Sequence, residues 1–410
     1  MNAPDVVDVV ALGESMVTFL PSRPGRLADV PSFDRAIGGA ESNVACGLAA
    51  AGHAVRWVSR VGADGFGDHL VEAIGAYGVD VSSVSRDPSR PTGVYFRTAG
   101  DRAGDDHEVA YYRAGSAASA MSVANVDLPA ARVLHLSGIT AALSDECLSL
   151  LRELTAPGPG RPLISFDVNH RAGLWRDADG PRVLLELARC ADIVFVGEDE
   201  AEKAWGISGG PEGIRAVLPE PGVLVVKQGG VGATAFVSAA GRWGLVAPRG
   251  GAAYRYSPAP LGSDTGPRSQ GAAASPTQPA GSRAAGMAPD PKRGGTPSAP
   301  GCATHPRSAP TQSTFVPALD VDVVATTGAG DAFAAGFLSA TLRDLPLQAR
   351  LRHGHLWAAA TLTAPGDLAP PPTRAHADRL AAVDDETWET LRLGPGWTQA
   401  EQAPEEVRTT

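Results

Sequence analysis

The stretch Val324-Ala325-Thr326-Thr327-Gly328-Ala329-Gly330-Asp331-Ala332-Phe333 decides how this chain folds. A β-branched run, Val321 to Val324, stops at two threonines and a Gly-Ala-Gly turn, and Ala332 to Leu342 has the character of a helix. The expected order is strand, tight loop, helix. Such a junction aims unpaired backbone N–H groups and the positive end of a helix dipole at one point, which suits a phosphate or another oxyanion. Asp331 follows the loop directly. A carboxylate there can take a proton from a hydroxyl nucleophile while the amides of Gly328, Ala329 and Gly330 stabilise charge on the group being transferred. Taken alone, Gly-x-Gly-Asp also fits a glycine turn closed by an aspartate cap.

Working outward, the segment from Arg132 alternates strands and helices as a doubly wound sheet does. Val133 to Leu136 ends in Ser137-Gly138-Ile139, Leu163 to Val168 in Asn169-His170-Arg171, Ile193 to Val196 in Gly197-Glu198, and Gly222 to Val226 in Lys227-Gln228-Gly229. Polar clusters at the carboxyl ends of strands gather on one edge of an open α/β sheet, beside Asp331. Val6 to Leu12 is a continuous β-branched run, expected as a central strand buried on both faces. Gly38-Gly39-Ala40-Glu41-Ser42-Asn43 then opens a helix of small residues; its glycines let a ligand approach the backbone, and Asn43 can both donate and accept. Two alternating stretches, Thr92 to Thr98 and His107 to Arg113, read as a hairpin.

The formal charge of −10 argues against a nucleic-acid or anionic-membrane binder, so any phosphate site depends on local backbone geometry and a few placed cations. No apolar run reaches the roughly 18 residues of a membrane helix. The four cysteines, Cys46, Cys147, Cys190 and Cys302, have no metal-ligand spacing and suggest no disulfide framework. The chain is expected to be cytoplasmic. Between 251 and 310, Gly, Pro, Ala and Ser supply 40 of 60 residues and there is no Val, Ile or Phe. Such a stretch cannot offset its ordering entropy by apolar burial, so 249–315 is expected to be a disordered insertion between two strands, the first near Gly244 to Ala247. Residues 394–410 are expected to be a polar tail.

Together these strings resemble the ribokinase-like (PfkB) carbohydrate kinases, whose signature reads Asp-Thr-x-Gly-Ala-Gly-Asp; Ala325 stands at its first aspartate. Within that family the resemblance is nearest to the 2-keto-3-deoxygluconate kinases, through Gly13-Glu14-Ser15-Met16, Gly38 to Asn43, Tyr111 to Ser119, Asp167 to Arg171 and Pro365-Gly366-Asp367. The resemblance implies an α/β fold, a three-layer α/β/α sandwich spanning 1–393 with a central mostly parallel sheet. A small β-sheet lid would come from about 14–45 and 91–115, and homo-oligomers would form through it. It implies ATP-dependent phosphorylation of the primary hydroxyl of a sugar acid, with 2-dehydro-3-deoxy-D-gluconate going to its 6-phosphate. Asp331 would be the base, with Gly328, Ala329 and Gly330 as the anion loop. Gly38, Gly39, Asn43, Tyr95, Tyr111, Arg113, Ile139, Arg171 and Asp367 would contact the sugar. Asn169, Lys227, Gly229, Gly232, Thr326 and His355 would contact ATP, and Glu200 would hold Mg²⁺ through water, although Gly197 replaces the asparagine of the Asn-x-x-Glu motif. Ala325 offers no ligand to a monovalent cation, so little activation by potassium is expected. Two alternatives remain open: a fructokinase, ribokinase or 2-keto-3-deoxygalactonate kinase, and a catalytically weakened ligand-binding protein on the same fold.

Overall fold

The structure is a computed structural model that describes residues 6–98, 108–175, 178–238 and 311–399. The turn segment 99–107, the strand expected at 244–247, the body of the insertion and the end of the tail lie outside the described residues. The chain opens with β1 (Val7–Leu12), β2 (Met16–Pro21) and β3 (Phe33–Gly38); the helix Ala40–Ala50, β4 (Val55–Gly62), the helix Gly65–Ala76 and β5 (Val84–Asp87) follow. After β6 (Val94–Arg97) and β7 (Val109–Tyr112) come β8 (Ala131–Ser137), β9 (Leu163–Asp167), β10 (Ile193–Gly197) and β11 (Val223–Lys227), alternating with helices. β12 (Gly232–Ser238), β13 (Thr311–Pro317) and β14 (Asp320–Val321) lead to the long helices Ala329–Leu342 and Leu347–Leu362, then to β15 (Arg392–Leu393).

Among the described residues nine strands form one sheet in the order β13-β12-β11-β10-β9-β8-β1-β4-β5. Its strands run parallel from β11 to β5, and β12 and β13 add an antiparallel edge. The reason β1 lies inside is its unbroken apolar run, buried at every position. Alternate residues go to opposite layers: Val9 and Ala11 join the helices carrying Phe333, Phe337 and Leu356, while Val10 and Leu12 join those carrying Leu150, Leu184 and Leu187. This is the expected three-layer sandwich. A second sheet, β3-β2-β6-β7, stands apart over the carboxyl edge of the first. It ends at Gly38, because Ala40 already begins a helix.

Three boundaries differ from the sequence reading. Thr311 to Phe315, assigned to the insertion, belong to β13, which pairs with β12 from Thr311↔Ser238 to Pro317↔Gly232. An edge strand needs no apolar alternation on its exposed side, and Thr311, Gln312 and Ser313 are exposed. The strand expected over Val321 to Val324 shrinks to Asp320–Val321, with Val324 exposed. Trp397, within the segment read as tail, is buried against His376 with ring centroids 5.8 Å apart.

Candidate active site

A cavity of ≈ 640 Å³ opens between the carboxyl ends of the main-sheet strands and the lid sheet. At its floor the helix Ala329–Leu342 begins directly on the glycine loop, three residues earlier than the sequence suggested. Gly328 is its N-cap, with φ +81°, and a Cβ there would fall 1.9 Å from the Asp367 carbonyl oxygen. Only glycine meets both demands. The helix thus presents its first-turn amides to the cavity with no side-chain cap competing for them.

Asp331 sits in that first turn and borders the cavity. Its Oδ2 accepts a hydrogen bond from Asn43 Nδ2 at 2.9 Å, from the first turn of the helix Ala40–Ala50. Burial pushes the Asp331 carboxyl up, to about 7; the Asn43 N–H draws it down, the Asp167 charge adds to the rise, and Lys227 and Arg171 oppose it. Water in the open cavity moderates the rise, and a substrate that displaces this water strengthens it. A carboxylate poised near neutrality suits a general base.

Lys227 ends β11 beside this loop. Its Nζ is 2.9 Å from Asp167 Oδ2 at the end of β9, and a Cβ built on Gly330 would lie 3.3 Å from the same nitrogen. Burial works against its charge, but Asp167, Glu200 and Asp331 hold its pKa above the ordinary lysine value. The ammonium therefore stays protonated at the mouth of the anion loop. Two residues past Asp167, Asn169 adopts φ 39°, a left-handed conformation that asparagine tolerates better than most residues. It lines the cavity, and its buried Oδ1 has no hydrogen-bond partner among the described residues. Glu200 also lines the cavity; its Oε2 accepts from Gly197 N at 2.9 Å across the first turn of the helix Glu198–Trp205.

On the lid side, Tyr95, Arg97 and Tyr111 all face the cavity. The Tyr95 hydroxyl donates to Asp367 Oδ2, and Arg97 pairs with Asp367 Oδ1, all three buried or nearly so. A Cβ on Gly38 would strike the Tyr95 hydroxyl at 2.1 Å, so the glycine is what lets this network reach across. Arg113 pairs with Glu14 and lies 5.9 Å from the Tyr111 ring centroid. By contrast, Arg171 has no ion-pair partner among the described residues and is exposed on the cavity wall. Ile139 lines the wall from a turn fixed by buried Glu41, whose Oε1 accepts from Ser137 N, Ser137 Oγ and Thr140 Oγ1 at 3.1, 2.8 and 2.7 Å.

Gly39 and Thr326 complete the predicted residues that line the cavity; Ala329 lies in the loop without lining it. Three predicted nucleotide contacts lie elsewhere. His355 is buried, its Nε2 3.2 Å from the Val316 carbonyl oxygen and its ring against Phe333, so it is a core residue. Burial lowers its pKa to about 4 and keeps it neutral. Gly229 and Gly232 form the β11–β12 turn, with φ +57° and +150°; a Cβ on Gly232 would meet the Val316 carbonyl oxygen at 2.4 Å. Their glycines serve that turn. Conversely, Glu14, Arg97 and Asp167 line the cavity without having been assigned a role. Arg97 had a usable signal: on a strand of period two it shares a face with Tyr95.

On a doubly wound α/β fold, a strand-edge cavity whose floor is a helix start, with a half-buried lysine and a carboxylate near neutrality beside it, has the chemistry that phosphoryl transfer needs. Comparison with known proteins narrows the class. Residues 7–249 and 305–374 match the model of the pfkB family carbohydrate kinases, and the chain belongs to that family. It is 37% identical over 238 residues to a 2-dehydro-3-deoxygluconokinase of Bacillus subtilis (strain 168), a match covering 55% of this chain and 72% of that protein. A 2-dehydro-3-deoxygluconokinase of Thermoproteus tenax is 34% identical over 56% of this chain and 72% of its own. The crystal structure of a PfkB protein from Polaromonas sp. JS666 superposes with a TM-score of 0.65 at 28% identity, covering 91% of this chain and 99% of that one. The chain is an ATP-dependent sugar kinase.

Proposed function

We propose that this kinase phosphorylates the primary hydroxyl of a sugar acid, 2-dehydro-3-deoxy-D-gluconate in the first place, and yields the 6-phosphate. The observation that carries this reading is the charge inventory of the cavity. Glu14 pairs with Arg113, Asp367 with Arg97 and Asp167 with Lys227, whereas Arg171 is the cavity's cation that forms no ion pair with a described carboxylate. A neutral sugar gives such a cation nothing to pair with; a substrate carboxylate does. The names of the two bacterial and archaeal relatives point the same way. Fructokinases are also among the relatives, for example one from rice at 35% identity, and they define the competing reading.

The residues present fit a magnesium nucleotide. Lys227 and the amides at the start of Ala329–Leu342 suit a polyphosphate, while Asn169 Oδ1 and the Glu200 carboxylate offer acceptors to a hydrated cation. Bound ATP with Mg²⁺ supplies the phosphoryl group and neutralises much of its charge. Tyr95, Tyr111 and Gly38 hold the sugar under the lid, and Arg171 fixes its carboxylate. Asp331 takes the proton of the primary hydroxyl, and the Gly328–Gly330 amides and Lys227 stabilise negative charge on the group in transfer. Lid closure excludes water and suppresses wasteful hydrolysis. Val109 and Tyr112, exposed on the lid's edge strand β7, support a subunit contact there. A cytoplasmic location fits a chain with no helix among its described residues long and apolar enough to cross a membrane.

The test is an ATP-coupled assay over 2-dehydro-3-deoxygluconate, its galactonate epimer, gluconate, fructose and ribose. The expected result is a kcat/KM for a 2-keto-3-deoxy acid at least about 10²-fold above either neutral sugar, the scale of one charge-assisted hydrogen bond. A preference for fructose or ribose would replace the sugar-acid reading with the neutral-sugar one.

A further inference from the structure

Beneath the anion loop lies a second cavity of ≈ 10 Å³, lined by Asn43, Gly47, Gly328, Ala332, Trp357 and Thr361 among others. That is about the room one water molecule needs. Two of its lining residues carry a buried polar atom with no hydrogen-bond partner among the described residues: the Trp357 indole Nε1 and the Asn43 amide Oδ1. One can only donate and the other can only accept. Both side chains are deeply buried, at 4% and 5% exposure, so neither atom reaches bulk solvent instead.

The indole is where it is because glycines make room for it. A Cβ on Gly336 would stand 2.8 Å from Trp357 Cγ, and one on Gly47 would stand 3.4 Å from its Cζ3. Two helices, Ala40–Ala50 and Ala329–Leu342, thus each give up a side chain where the ring of a third passes. Apolar packing alone would be served as well by phenylalanine. A donor and an acceptor left over at one water-sized cavity ask for a molecule that accepts from the first and donates to the second. A cation would be repelled by the indole N–H. A water does both, and Thr361 brings a hydroxyl to the same wall.

We infer that a resident water joins Trp357 Nε1 to Asn43 Oδ1, and that Trp357 is thereby a positioning residue for the base. The consequence follows from the two ends of the Asn43 amide. With Oδ1 held by the water, Nδ2 is the end left to face Asp331 Oδ2, at 2.9 Å. The reversed amide would set its oxygen against the Asp331 carboxylate and lose that bond, while the water would be left accepting from two donors with neither of its own protons used on Asn43. The chain indole, water, amide, carboxylate runs with every donor pointing toward Asp331, an arrangement in which each bond polarises the next. It orients the carboxylate toward the cavity and favours its charged form.

The inference rests on Asp331 being the base, and its test separates the two. Trp357→Phe removes the N–H but also volume, so the deciding variant replaces Trp357 with β-(3-benzothienyl)alanine, which keeps the ring shape and puts sulfur where the N–H was. The isostere is expected to lower kcat about threefold to tenfold, the worth of one hydrogen bond in a buried chain, with KM for ATP unchanged within twofold. The acid limb of its kcat–pH profile should move to higher pH, because an Asn43 amide without the donor chain behind it supports the ionised base less. An isostere with wild-type kcat and an unshifted limb would overturn the positioning role. The water itself is read independently in the wild-type protein by a cross-relaxation peak between the Trp357 indole proton and a long-lived water; an indole proton without one would overturn the bridge. If Asp331→Asn keeps near-normal turnover, the base assignment fails while the water peak remains.

Discussion

At the scale of the residue, Asp331 shows how a site trades stability for chemistry. Its carboxyl titrates near 3.8 in the unfolded chain and, through burial, at about 7 in the fold. The folded state therefore holds the proton more tightly, and stability contributed by this group is complete below about pH 4 and lost as pH rises through about 7. Asp331→Asn, which keeps an acceptor for Asn43, should raise stability at pH 8 by on the order of 2 kcal/mol and by nothing measurable at pH 4, as read by chemical denaturation at the two pH values. The same change should lower kcat by about 10²-fold or more with modest change in ATP binding. Retained turnover would remove the base role, and an equal stability gain at both pH values would remove the linkage. Arg171 supplies the second prediction at this scale. Arg171→Gln should cut kcat/KM toward an acid sugar by about 10²-fold and toward a neutral sugar by far less. Arg113→Gln strands buried Glu14 and should hurt both substrates, so the ratio between substrates, not the loss itself, identifies the carboxylate partner.

Elements explain what could and could not be read from the residues. The Gly-Ala-Gly-Asp string announced a helix start on a glycine loop because a positive φ and a bare helix terminus are local properties. Polar strand ends announced an edge, which is why Asn169, Arg171, Glu200 and Lys227 meet in one cavity. Pairings across the lid were not legible: Arg97 with Asp367 spans 270 positions and Arg113 with Glu14 is set by the mixed order of the lid strands. His355 misled because its place on a helix near the nucleotide half says nothing of which way its ring turns, and here the ring enters the core beside Phe333 and Trp388. The loop itself gives the third prediction. Gly328→Ala strains a backbone at φ +81° and drives a methyl into the Asp367 carbonyl. It should destabilise the protein by about 2 kcal/mol or more and lower kcat together with affinity for ATP. Thermal melting and initial rates at saturating sugar read the two effects; an alanine variant that melts and turns over normally would show that the loop conformation is not required.

The whole molecule must accommodate residues 239–310 between two strands that are already hydrogen-bonded neighbours, β12 and β13. The family match breaks between 249 and 305, over a stretch with no Val, Ile or Phe from 251 on, which supports reading it as an insertion. Because loop-closure entropy grows logarithmically, such a length costs roughly 2 to 3 kcal/mol relative to a short hairpin loop. Replacing 251–310 with a short Gly-Ser linker should therefore leave the fold intact, raise the melting temperature slightly and keep kcat within several-fold. An insoluble deletion variant, or cooperative melting of the isolated segment, would show a structured domain instead.

The same connectivity sets a clock on synthesis. One hydrogen bond at the cavity floor joins residues 288 positions apart, Asn43 and Asp331. At a ribosomal pace of about 5 to 20 residues per second, roughly 15 to 60 s pass between making one partner and making the other. Throughout that interval the helix Ala40–Ala50, apolar through Ala45, Cys46 and Leu48, waits for the helix Ala329–Leu342 that will cover it. The cavity is thus among the last parts of the nascent chain to close, and a ribosome stalled between β12 and β13 would hold it open and unfinished.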